Sequence, residues 1–251
     1  MKILRYRYRN RVEWGIWKDE GIQPVRGDLF GSLEEQGEVL SPSRVEYMSP
    51  LRPNKLIAIG RNYVDHAKEM GNAVPEEPMM FLVSPTAVIG SGEAIHLPNR
   101  IDSIEFEAEL AVVIGEEGRN IPAGRASEHI LGYTCGIDVS NRVLQKKDGQ
   151  FTRAKSFDTF KPLGPMIETD MDSSDRWIRL KVNGEIRQDG RTSDMVHSVP
   201  ALVEAISHVF PLERGDVILT GTPAGVGRLF PGDQVEMEIE GIGTLSHRVE
   251  G

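Results

Sequence analysis

At 251 residues with 39% apolar content, the chain is long enough to bury one large core, or a core with a small appendage. A formal net charge of −9 and an isoelectric point near 5.3, with no basic run, exclude non-specific nucleic-acid or anionic-membrane binding. The single cysteine, Cys135, excludes an internal disulfide and reads as a small buried hydrophobe. The opening Met1-Lys2-Ile3-Leu4-Arg5-Tyr6 has no apolar secretory core, and no apolar run nears the roughly 20 residues of a membrane span, so a reducing cytoplasm is the expected compartment.

In chain order, residues 1–52 carry short β-prone pieces such as Val12 to Trp17, broken by Gly and Pro, and read as a small β-rich N-terminal subdomain. The stiff Pro50-Leu51-Arg52-Pro53 connection leads into Leu56 to Gly60, and residues 53–251 read as the larger domain. Strands are expected over Met79 to Val83, Thr86 to Gly90, Phe106 to Ile114 and Ile130 to Ile137. More follow over Pro165 to Glu168, Ile178 to Val182, Asp216 to Thr220 and Gln234 to Ile239. Helical patterns are few. One covers Tyr63 to Met70 and stops at Gly71; another has Ser198 as N-cap, Pro200 near N1 and the apolar set Leu202, Val203, Ile206, Val209 and Phe210. The expected class is α+β, dominated by strands.

The stretch Ile104-Glu105-Phe106-Glu107-Ala108-Glu109-Leu110 places three acids directly before a run that should be buried. On a strand Glu105, Glu107 and Glu109 share one face. Carboxylates entering a core need a cation beside them, and a hard divalent ion meets that need. An exposed strand start, or a helix face with Glu105 and Glu109 at i,i+4, accounts for the same pattern. Ile130 to Ile137 is an apolar run closed by Asp138; with two strand acids it gives three carboxylates, and as a helix N-cap it needs no metal.

His66 and Glu69 stand at i,i+3 on the first helix, where a carboxylate can orient an imidazole that takes a proton from water, or where both are simply solvated. Lys155 could neutralise a substrate enolate or carboxylate with Asp158 holding it in place, or the two could form an ordinary loop ion pair. The glycine-rich Leu219 to Gly227 loop offers backbone N–H groups to an anion, and it lacks the features of a nucleotide loop.

Taken in order, Gly60-Arg61-Asn62-Tyr63 with His66 and Glu69, Glu107-Ala108-Glu109-Leu110, and Gly136-Ile137-Asp138-Val139-Ser140 with Arg142 and Gln145 form a distinctive set. With Ala154-Lys155-Ser156-Phe157-Asp158 and Gly221-Thr222-Pro223-Ala224-Gly225-Val226-Gly227, they resemble the fumarylacetoacetate hydrolase family from about Leu56 to Val249. The resemblance implies a mixed β-roll catalytic domain that pairs as a homodimer, and a divalent metal, Mg²⁺ with Mn²⁺ or Ca²⁺ as alternatives, on Glu107, Glu109 and Asp138. It implies His66 and Glu69 positioning a water, Lys155 facing the substrate, and Arg142, Gln145 and Thr222 reaching its polar groups. The implied substrates are small 2-oxo or 2,4-dioxo acids, cleaved by C–C hydrolysis or decarboxylated through an enolate. The alternative is the 2-hydroxyhepta-2,4-diene-1,7-dioate isomerase/decarboxylase of aromatic catabolism; a non-catalytic metal- or ligand-binding module stands furthest off. The chain departs from the family pattern at Val83 and Ser84, where many members carry a lysine, and at Val143, where an acid is common.

Overall fold

The computed structural model describes residues 1–98 and 103–251. The first strands are β1 (Lys2–Tyr8), β2 (Arg11–Lys18), β3 (Gly21–Gly27), β4 (Leu33–Glu35), β5 (Glu46–Met48) and β6 (Leu56–Gly60). Helix α1 (Val64–Glu69) leads to β7 (Met79–Val83), β8 (Val88–Ile89), β9 (Ile95–His96), β10 (Ile104–Phe106), β11 (Ala108–Ile114), β12 (Ile130–Ile137) and β13 (Ser140–Asn141). Helices α2 (Arg142–Asp148) and α3 (Thr152–Lys155) precede β14 (Lys161–Glu168), β15 (Trp177–Val182) and β16 (Glu185–Arg191). Helix α4 (Val199–Val209) is followed by β17 (Val217–Leu219), β18 (Gly227–Arg228), β19 (Gln234–Ile239) and β20 (Gly243–Glu250).

Strands dominate, as expected for the α+β class. The large sheet runs β4-β3-β2-β1-β14-β12-β11-β17-β6-β7, with β5 on β1 and β8 on β14. Beside it lie the sheets β13-β10-β18 and β16-β15-β19-β20-β9. The N-terminal strands join the large sheet through the β1–β14 pair, and Leu4, Tyr6 and Ile22 enter the main core. Strand β11 explains why an unbroken apolar run folds here. Every one of its residues is buried; Leu110, Val112 and Ile114 pack into one apolar layer, while Ala111 and Val113 pack into the other. A strand covered on both faces reads as continuously hydrophobic rather than alternating.

Several elements differ from expectation. The Phe106 to Ile114 strand is interrupted at Glu107, which lies between β10 and β11. Pro85–Ala87 forms a 3₁₀ turn, so the strand expected from Thr86 shrinks to Val88–Ile89, because proline enters such turns readily and cannot donate to a ladder. Strand β14 begins at Lys161 rather than Pro165. Val209, placed on the apolar face of α4 by its period, is 61% exposed because it is the helix's last residue. None of the helices among the described residues is long and apolar enough to cross a membrane.

Candidate active site

The acids are brought together by strand register. In the β11–β12 pair Ala108 lies opposite Ile137, so Glu107 and Asp138 follow directly at the end of the ladder, and the Asp138 amide donates to the Glu107 carbonyl at 2.8 Å. Glu109 lies opposite Gly136, where a Cβ would come within 2.6 Å of the Leu219 side chain. One carboxylate oxygen from each of Glu107, Glu109 and Asp138 lies within 4.8 Å of the others, and all three side chains are buried. Burial excludes both the exposed strand start and the solvated helix face. Asp138 is no helix cap either; Asn141 caps α2 by accepting from the Leu144 amide at 3.1 Å.

Helix α2, hidden in a stretch that reads as loose polar residues, presents Arg142 at its first position. The Arg142 guanidinium donates to Glu105 Oε2 and to Glu107 Oε1, each at 2.7 Å, and Nη1 donates to Gln145 Oε1 at 2.9 Å. The single turn of α3, expected as loop, delivers Lys155. Its Nζ donates to Glu107 Oε2 at 2.5 Å, Asp138 Oδ2 at 2.6 Å and Ser140 Oγ at 2.7 Å. Asp158 is exposed and makes no ion pair with Lys155, whose carboxylate partners are Glu107 and Asp138. Asp158 lies in the exposed turn that follows α3. The reading of Asp158 as the residue that holds Lys155 is therefore corrected.

A second lysine was not legible as functional. Lys161 is fully buried at the start of β14, with Nζ 2.7 Å from Asp138 Oδ1 and hydrogen bonds to the carbonyls of Val139 and Phe160. Its only signal in sequence is a lysine opening an apolar run. Gln188 was missed for a similar reason, since it lies in the polar strand β16. Its side chain accepts from the Ala108 amide at 2.9 Å and donates to Thr222 Oγ1 at 2.7 Å and the Pro223 carbonyl at 2.8 Å.

Charges in this buried cluster are unevenly compensated. Burial works to raise Glu107, but Arg142, Lys155 and His66 outweigh it and hold its carboxyl well below the usual carboxylate range. Glu109 goes the other way: burial, then Asp138 and Glu107, push it well above that range. Its hydrogen bond from the Gly221 amide, at 2.8 Å, does not offset them. Burial lowers Lys155, yet Asp138 and Glu107 more than restore it and keep it protonated. In Lys161 burial prevails and the pKa falls. An all-oxygen donor set with one carboxylate lacking a cation of its own fits a hard divalent ion.

His66 is buried on α1, with Nδ1 3.3 Å from Glu69 Oε2 and Nε2 3.6 Å from Glu107 Oε1. The second distance is too long for a hydrogen bond, so Nε2 faces the carboxylates without being bound to them. Glu69 also accepts from the Gly225 amide at 3.1 Å, tying α1 to the glycine-rich loop. Two amides of that loop thus serve Glu109 and Glu69, where the sequence suggested that they serve a substrate anion. His66, Glu107, Glu109, Arg142, Gln145, Lys155 and Thr222 line one cavity, walled in part by Phe81 and Phe151. Val83 is buried in the core and Ser84 donates its amide to Ser156 Oγ at 2.9 Å, so at this departure from the family pattern neither residue supplies a cation to the cavity.

Comparison with known proteins gives a consistent picture. The family described as fumarylacetoacetate (FAA) hydrolase C-terminal matches residues 55–250, and the one described as Rv2993c-like, N-terminal matches residues 1–50. Oxaloacetate tautomerase YisK of Bacillus subtilis is 42% identical over 224 residues, which cover 83% of this chain and 74% of that protein. A crystal structure of 5-carboxymethyl-2-hydroxymuconate delta-isomerase from Mycobacterium smegmatis is 43% identical, with a TM-score of 0.93 over 100% of this chain and 99% of that one. Fumarylacetoacetate hydrolase from psychrophilic Exiguobacterium antarcticum is 33% identical, with a TM-score of 0.89 and the same coverage. Tautomerases, isomerases and hydrolases thus share this framework. The chain belongs to the fumarylacetoacetate hydrolase family.

Proposed function

We propose that the chain is an enzyme that enolises small 2-oxo carboxylic acids, moving a proton between C3 and a second acceptor atom of the same substrate. The observation that carries this reading is the buried His66, oriented through Nδ1 by Glu69 and turning an unbound Nε2 toward the carboxylate cluster. A base so placed removes a C3 proton, and Glu69 stabilises the imidazolium that forms. The same imidazolium returns its proton to the enol oxygen, which is tautomerisation, or to a distant carbon of a conjugated substrate, which is isomerisation. Lys155, held protonated among Glu107, Asp138 and Ser140, offers positive charge to the developing enolate. Arg142 and Gln145 present N–H donors at the cavity wall, and Thr222 a hydroxyl fixed by Gln188.

Glu107, Glu109 and Asp138 would hold a divalent cation, Mg²⁺ in the first instance, whose Lewis acidity lowers the energy of negative charge on the 2-oxygen. Two relatives above 40% identity carry the names of a tautomerase and an isomerase, and the hydrolase stands at 33%. This ordering favours proton transfer over C–C cleavage as the main reaction. Hydrolysis or decarboxylation is the second reading: an enolate is also the leaving group of C3–C4 cleavage, and His66 with Glu69 suits activation of water equally well.

Proton exchange separates the two. Oxaloacetate in D₂O, followed by ¹H NMR with Mg²⁺-loaded protein, is expected to lose its C3–H signal faster than it loses carbon dioxide. His66→Ala is expected to slow that exchange by about 10²- to 10⁴-fold. Consumption of acetylpyruvate to acetate and pyruvate, with no excess C3 exchange, would transfer the assignment to hydrolysis.

A further inference from the structure

One cation at the candidate site is left over by the chemistry described so far. Arg142 and Lys155 are committed to Glu105, Glu107 and Asp138, whereas Arg61, which lines the same cavity, has no carboxylate or hydrogen-bond partner for its side chain among the described residues. Arg61 is half-buried and shares the cavity lining with the apolar Met70, Met79 and Phe81 and the polar Asn72, none of which carries a charge to pair with it. A partly desolvated guanidinium gains most from a planar anion that it can grip through two N–H groups.

The backbone supports a retained role. Arg61 has φ 59°, a left-handed conformation that glycine adopts freely and that a side chain makes unfavourable by about 1 kcal/mol. The surroundings impose it. Asn62 is fastened on the far side, donating to the carbonyls of His197 at 3.0 Å and Thr220 at 2.8 Å, and accepting from the His197 amide at 2.8 Å. On the near side, Ile59 and Gly60 are held in β6 against β7. A strained residue whose charge opens into the cavity and meets no partner points to a ligand group.

We infer that Arg61 binds the carboxylate at the substrate end remote from Glu107, Glu109 and Asp138, and so makes this chain selective for 2-oxo dicarboxylic acids over 2-oxo monoacids. The inference rests on the enolisation reading and names its substrate class. A monoacid with an apolar tail leaves Arg61 unpaired in a half-buried place, which disfavours its binding.

Oxaloacetate and 2-oxobutyrate differ in that a methyl group replaces the far carboxylate, and both exchange C3 protons. In Arg61→Gln the KM for oxaloacetate is expected to rise about 10- to 100-fold with kcat little changed, while 2-oxobutyrate exchange stays as in the wild type. Arg61→Lys should recover part of the loss. Arg61→Gly, which relieves the left-handed strain, should keep the fold and show the same loss of discrimination. Equal losses on both substrates, or unchanged discrimination in Arg61→Gln and Arg61→Gly, would overturn the assignment. If the wild type exchanges neither acid, enolisation itself fails, and calorimetry on Mg²⁺-loaded protein decides about Arg61 alone. Weaker 2-oxoglutarate binding with unchanged oxalate binding in Arg61→Gln supports the anchor, and parallel affinities contradict it.

Discussion

Glu107 receives Arg142, Lys155 and Ser140, and faces His66, so it is the side chain through which the site's charges are coupled. Removing one member of such a buried group leaves the others uncompensated, which is more damaging than the pairing is stabilising. Lys155→Met is therefore expected to lower the stability of the metal-free protein by about 3 kcal/mol or more, read by urea denaturation. Unchanged stability would mean that the Lys155 pairs are loose. At this scale the sequence was informative about residue types and weak about their pairing. The carboxylates, His66, Glu69 and Lys155 stood out because acids and bases beside apolar runs demand an explanation. Asp158 was misjudged because three positions in sequence do not fix a contact once the chain turns after a single helical turn. Lys161 was invisible because its partner, Asp138, is recognisable only after β12 and β14 pair.

At the scale of elements, the site depends on where strands stop. Glu107 falls in the break between β10 and β11, Asp138 follows the last residue of β12, and Gly221 follows β17 closely enough for its amide to reach Glu109. Gln188 ties β16 to both β11 and the loop carrying Thr222. Gln188→Ala leaves the Ala108 amide and the Pro223 carbonyl buried without that partner. It is expected to cost about 1–3 kcal/mol and to raise KM through Thr222. A variant of wild-type stability and KM would show that another group replaces it. The boundaries of β12 could be read from the sequence because an apolar run of strand length ends there at Asp138, and those of β19 because Val235, Met237 and Ile239 alternate with polar residues. The short α2 and α3 could not be read, since one or two turns carry too little periodicity to separate from loop.

At the scale of the molecule, the large sheet lies between two apolar layers, and the acids gather where β11 begins and the neighbouring β12 ends. This arrangement withdraws three carboxylates from water without exposing the core, and the class of fold was legible because strands of that kind outnumber helical patterns throughout. The N-terminal strands were legible as β-rich, but their continuation of the large sheet through β1 and β14 is a long-range pairing with no local signal. A separate group governs the acid limb of stability. Burial pushes the His247 imidazole down to about 4, while its Nδ1 lies 2.8 Å from the Glu93 carbonyl. With an ordinary value of about 6.5 in the unfolded chain, the unfolded state takes up this proton first as pH falls. Stability from this group is thus complete above about pH 6.5 and is lost progressively down to about pH 4, by roughly 3 kcal/mol. His247→Leu should remove that portion of the pH dependence in denaturation curves between pH 4 and 7; identical slopes would refute it.

In the proposed mechanism, Glu107, Glu109 and Asp138 hold the metal ion around which the other groups act. The most direct test of that role is titration of metal-stripped protein with Mn²⁺ or Mg²⁺, followed by calorimetry and thermal unfolding, in the wild type and Glu109→Gln. One ion per chain is expected, with stabilisation of about 2.7 kcal/mol at a metal concentration 100 times the dissociation constant, and loss of both in Glu109→Gln. No uptake by the wild type, or equal uptake by Glu109→Gln, would contradict that role.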